Sequence, residues 1–165
     1  MRRSFPWSTA SRAVLLTMAV ALLASCGTGG PARRVSEPAA SIQQLTVRAD
    51  GRWDLQLRLD NFSSIPMRFT TTDIQVAFDN GAAASVQVQP QISIGPESAD
   101  VVSATLTPTA DGRARIATAL ADGRSLNYTL GGTLEAGPAD GKARSYKVER
   151  TSSLTPVPGL PGVLR

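Results

Sequence analysis

Arg52-Trp53-Asp54-Leu55-Gln56-Leu57-Arg58-Leu59-Asp60 alternates without a break. Trp53, Leu55, Leu57 and Leu59 fall on one side of an extended chain, and the five polar residues fall on the other. Successive side chains of a strand point to opposite faces, so this spacing makes a strand with one dry and one wet face. A helical period of 3.6 would scatter the same leucines around a cylinder. Reading outward, Ile74, Val76 and Phe78 alternate in the same way, as do Val86, Val88, Ile92 and Ile94. Further series follow at Val102, Ala104 and Leu106, at Leu126, Tyr128, Leu130 and Leu134, and at Tyr146 and Val148. Several short half-wet strands predict an all-β fold, a single antiparallel sandwich. Trp53 shares its face with three leucines and is assigned to the core.

Parity also dictates the turns. Leu45 and Val47 must share a face with Trp53 and Leu55, which requires a three-residue loop, Ala49-Asp50-Gly51, with Gly51 left-handed. A two-residue turn would set Val47 opposite Asp54. Asp79-Asn80-Gly81 is the next turn. Between Phe69 and Ile74 the inward parity changes from odd to even, which calls for a bulge near 70–72. Pro90 cannot donate to a ladder and belongs at an edge or a strand break. Gly131-Gly132, inside a strand pattern, marks a bulge or a close backbone approach. Ile116 and Leu120, among four alanines and before Gly123, predict one short helix near 113–122. Three prolines and two glycines make 155–165 an extended tail outside the sandwich.

Histidine is absent and Cys26 is the only cysteine. That excludes a Ser–His–Asp triad, a Cys–His pair, an internal disulfide and any Cys/His zinc site. The formal charge of +4 belongs largely to the first 25 residues. Without Arg2, Arg3 and Arg12 the 17 basic residues become 14, against 13 acidic ones. A nearly neutral remainder offers no concentrated basic face, so nucleic acid is not an expected partner. The carboxylates are scattered over turns and outward strand positions. They give neither the converging pair of a glycosidase nor the close run of ligands of a calcium loop. No catalytic residue, cofactor, metal or small-molecule substrate is expected.

The lone cysteine has its own context. A cationic stretch ends at Arg12, an uncharged apolar run follows over 13–23, and then comes Leu23-Ala24-Ser25-Cys26-Gly27. A charged start, a short apolar run and small residues at the cut describe a secretory leader. The run falls short of the ~20 residues that span a bilayer. Leu-Ala-Ser-Cys resembles the lipobox of bacterial lipoproteins. That resemblance implies a signal peptide over 1–25, cleavage before Cys26, and lipid on its sulfur as the membrane partner. Two or three acyl chains anchor stably where one is marginal. Residues 26–40 then read as a flexible tether, whose fourteen residues after the cysteine span about 20 Å. Gly27 in place of an aspartate directs the protein to the outer membrane, facing the periplasm, in a host with two membranes.

Leu57-Arg58-Leu59-Asp60-Asn61-Phe62-Ser63-Ser64-Ile65-Pro66 is a strand ending in asparagine, a polar break, and a proline before a new strand. Ser93-Ile94-Gly95-Pro96-Glu97-Ser98 gives a second break, and Tyr128-Thr129-Leu130-Gly131-Gly132-Thr133-Leu134 a late strand. Over 41–154 this resembles the LEA-2 family, also called the water-stress and hypersensitive-response (WHy) domain. Asn61-Phe62-Ser63 stands where that family usually has Asn-Pro-Asn. The resemblance implies a fibronectin III- or immunoglobulin-like sandwich without enzymatic activity or cofactor, associated with stress tolerance and often lipid-anchored in bacteria. Asn61 is expected to cap the break by bonding nearby backbone, and Pro66 to rigidify the start of the next strand. The alternative is an interaction subunit of an envelope secretion or transport assembly. It would bind a protein partner through a sheet edge or an apolar patch.

Overall fold

The alternating residues become strands whose dry faces meet. The computed structural model describes residues 33–165. It contains β1 (Ala39–Val47), β2 (Trp53–Asn61), β3 (Met67–Phe78), β4 (Gly81–Val88), β5 (Ile92–Ile94) and β6 (Ser98–Leu106). Helix α1 (Ala110–Asp122), β7 (Leu126–Pro138), β8 (Arg144–Leu154) and β9 (Val163–Leu164) follow. One antiparallel sheet has the order β6-β2-β1-β9; the other runs β4-β3-β7-β8, with β5 also on β3. This is the expected all-β sandwich with one short helix. Trp53, Leu55, Leu57 and Leu59 are buried, as are Ile74, Val76, Phe78, Leu130 and Leu134 from the opposite sheet. Trp53 and Phe78 meet across the core with ring centroids 5.8 Å apart.

The first loop has the predicted register: Val47 pairs with Trp53 and Leu45 with Leu55, and Gly51 has φ 80°. The bulge in β3 falls between Phe69 and Thr71, so the residues facing the core switch from Met67 and Phe69 to Thr72 and Ile74. Gly132 is the close approach. A Cβ there would stand 2.2 Å from the Asp73 carbonyl oxygen, a separation no side chain tolerates.

A second parity switch was not read from the sequence. Between Ile42 and Gln44 β1 shifts register, so Ala40 and Ile42 face the core before the shift and Leu45 after it. The Ile42 amide donates to the Tyr128 hydroxyl of the other sheet at 3.2 Å, which ties the two layers together.

Three expectations need correction. The turn after β3 has two residues, Asp79 and Asn80, both left-handed, and Gly81 already pairs with Phe78. Two consecutive positive φ values match the strand twist, which aspartate and asparagine tolerate. Helix α1 starts earlier than predicted. The Thr109 hydroxyl accepts from the Gly112 amide at 3.0 Å as its N-cap, and the buried line is Gly112, Ile116 and Ala119 rather than Ile116 and Leu120. Gly112 lies so close to Ala83 that a Cβ would meet its backbone at 2.9 Å, which explains a glycine inside the first turn. The segment 155–165 is not a loose tail. It turns back so that Leu164 pairs with Leu45, Val163 pairs with Thr46, and Leu164 is fully buried. Pro156 bridges to Leu164, Pro158 and Pro161 occupy the return loop, and the two residues that pair with β1 carry amides that can bond.

Candidate functional site

At one end of the sandwich β2 stops at Asn61, β3 and β6 begin, and β5 finishes. Asn61 is 1% exposed although it belongs to a loop junction. Its Nδ2 donates to the carbonyls of Ile65 (2.9 Å), Ile94 (3.1 Å) and Gly95 (2.8 Å). Its Oδ1 accepts from the Ser63 amide at 2.9 Å. The opposite amide orientation would point an oxygen at three carbonyl oxygens, so the partners fix which atom is which. Asn61 therefore acts as a clamp between the end of one sheet and the last strand residue of β5 in the other.

Ser63 extends the clamp to the N-terminal segment. It is fully buried, and its Oγ accepts from the Ser36 amide at 3.0 Å and donates to the Ser36 carbonyl at 3.3 Å. Its carbonyl accepts from the Glu97 amide at 3.0 Å. Arg34 continues the same seam. Its amide donates to Ser64 Oγ at 2.9 Å, and its guanidinium to the Phe62 carbonyl at 3.1 Å and to Glu97 Oε1 at 3.0 Å. Arg33 pairs with both Asp140 oxygens, at 3.0 and 3.2 Å. This guanidinium holds the Asp140 carboxyl below the usual aspartate range.

Of the residues singled out in the sequence, Asn61 and Pro66 lie in this junction. Pro66 is exposed, and its carbonyl accepts from the Ala139 amide at 3.3 Å. Cys26 lies outside the described residues. Within the range assigned to the tether, Arg34 and Ser36 are bonded to the junction and Ala40 is buried in β1. Ser63 and Arg34 were missed. Ser63-Ser64 looks like solvated loop, and the bonds that bury Ser63 come from residues 27 and 34 positions away.

Elsewhere the charges form exposed local pairs. Asp54 accepts from the Thr105 hydroxyl at 2.8 Å and from Arg48, which together lower its pKa. Arg115 is raised by Asp111 and Asp79. Among the described residues no three of His, Cys, Asp and Glu converge as metal ligands. A polar groove of about 320 Å³ on the outer face of β1, β2 and β6 has Asp54 as its one carboxylate, beside Gln44, Gln56 and Ser103. A crevice of about 490 Å³ between α1 and the C-terminal loop is mostly apolar, lined by Leu120, Val157 and Leu160.

No protein-family model and no curated protein matches the chain. Three solved structures are similar to it at low identity. A protein from Archaeoglobus fulgidus is similar at 13% identity and TM-score 0.43, over 74% of this chain and 98% of its own. A target of the Northeast Structural Genomics Consortium is similar at 12% identity and TM-score 0.46, over 76% and 91%. A late embryogenesis abundant (LEA) protein solved in solution is similar at 14% identity and TM-score 0.45, over 98% and 95%. At such identities residue roles do not transfer.

Proposed function

We propose that this chain is a non-enzymatic envelope lipoprotein of LEA-2/WHy type, anchored by acylated Cys26, whose sandwich protects or organises the envelope under stress. The observation that carries the anchor is Leu23-Ala24-Ser25-Cys26 at the end of a short apolar leader, with no other sulfur nucleophile in the chain. The LEA-2 character rests on the Asn61 break, where one asparagine joins the end of β2 to the last residue of β5 and the glycine after it. Gly27 supports an outer-membrane, periplasm-facing location. The test is fractionation of cells expressing the wild type and Cys26→Ser. The wild type should sediment with membranes, and the serine variant, which offers no thiol for the lipid, should not be anchored. Equal sedimentation of the two would contradict the proposal.

The alternative, a subunit of a secretion or transport assembly, draws on β6. It forms one end of its sheet order, and Val101 on it is exposed. Crosslinking in intact cells separates the two readings. One reproducible protein partner bound through β6 favours the assembly.

A further inference from the structure

We infer that the Asn61 end of the sandwich faces the membrane and inserts Phe62, with Val35 beside it, among the lipids. The inference rests on the proposed acylation of Cys26 and adds the orientation of the domain and a second lipid contact. The chain enters the domain at this end, where residues 34–36 are bonded to Ser63 and Ser64 and Arg33 is paired with Asp140. From Cys26 to Arg33 there are seven residue steps, which reach at most about 25 Å when fully extended. Strand β2, nine residues long, runs from this end to the other and covers about 30 Å. Even at full extension, the stretch from Cys26 to Arg33 therefore reaches less far than the sandwich is long. It can bring the Asn61 end to the bilayer but cannot run the length of the domain to invert it.

The surface at that end suits the role. Phe62 is 51% exposed and Val35 46%, the two most accessible large apolar residues there, while the loop beneath them is fixed by buried bonds to Asn61 and Ser63. An exposed phenylalanine on a rigid loop has no core to fill, and its wholly apolar ring gains by leaving water for the boundary between headgroups and acyl chains. Arg33, Arg34, Lys142 and Arg144 belong to the same end, against Glu37, Glu97 and Asp140. Two of those arginines are spent on ion pairs, so the apolar contact leads and headgroup attraction follows.

The test uses the acylated protein, in which Cys26 is blocked and an introduced cysteine is the sole free thiol. Phe62→Cys, Val35→Cys and Leu160→Cys are each labelled with an environment-sensitive dye. They are reconstituted into phosphatidylethanolamine–phosphatidylglycerol vesicles containing spin-labelled quencher lipids. Leu160, 48% exposed in the C-terminal loop, is the control at the opposite end. The dyes at 62 and 35 should shift to the blue and lose most of their emission to the quencher, and the dye at 160 should do neither. Acylated protein with its dyes at 62 and 35 in water, or with all three equally quenched, would overturn the inference and leave the anchor intact. An unmodified Cys26 in the mass spectrum would overturn the anchor, and the inference with it.

Discussion

The two ends of this sandwich are closed by opposite chemistry. At one end Asn61 and Ser63 are buried polar groups whose bonds join the N-terminal segment, the β2–β3 loop and the β5–β6 turn. At the other end Trp53 packs on Phe78, Ile116 and Ala119 of α1 are buried, and Leu164 covers the edge of β1. Apolar closure gains by area removed from water and tolerates imperfect fit. Polar closure gains little net energy per bond but is costly to leave half made. The first kind holds the domain together, and the second dictates where the chain enters it.

The largest effect that separates them should come from Trp53→Ala. Loss of a buried aromatic and the cavity it leaves should cost about 4 kcal/mol in chemical denaturation, with no change in the path of residues 33–38. Asn61→Ala should cost about 3 kcal/mol, because it strands buried carbonyls, and should also loosen residues 33–38. Amide hydrogen exchange at Ser36 reads the second effect. Asn61→Asp sharpens the point. A carboxylate facing three carbonyls should have a raised pKa in the folded state, so its penalty should grow as pH rises above the ordinary aspartate value and shrink in acid. A loss independent of pH would show that shape, not hydrogen-bond donation, matters at this position.

Thr72 probes polarity without partners. Its hydroxyl is buried in the core face of β3 and has no hydrogen-bond partner among the described residues. Thr72→Val should therefore stabilise the domain by about 1 kcal/mol, the opposite sign to Asn61 substitutions. The smallest effect concerns Asp140. Its pKa is lowered by Arg33, so the pair contributes above the ordinary aspartate value and is lost as pH falls through the lower folded value. Hydrogen exchange near Arg33, divided by the intrinsic rate at each pH, should be flat across neutral pH and rise only in strong acid. Asp140→Asn should abolish that rise.

Where local parity governs, the sequence was readable. The strand of Trp53 to Leu59, the three-residue loop at Gly51 and the β3 bulge all follow from which residues must face inward. The shift at Gln43 was also on view, since Ile42 and Leu45 are three apart, a spacing that strict alternation cannot accommodate. Gly112 has a physical reason that local pattern does not carry: glycine is a poor helix former, but contact with Ala83 demands it inside the first turn. The docking of Leu164 and the clamp of Asn61 depend on partners far along the chain. An asparagine before a break announces a turn. It does not announce that residues 94 and 95 will supply two of its acceptors.

Intact-mass measurement of the protein extracted from membranes reads the anchoring claim most directly. The account predicts a chain starting at Cys26 and carrying diacylglycerol on its sulfur, with or without a third acyl chain on its amine. A chain that retains its leader, or one that starts at Cys26 with a free thiol, would contradict it.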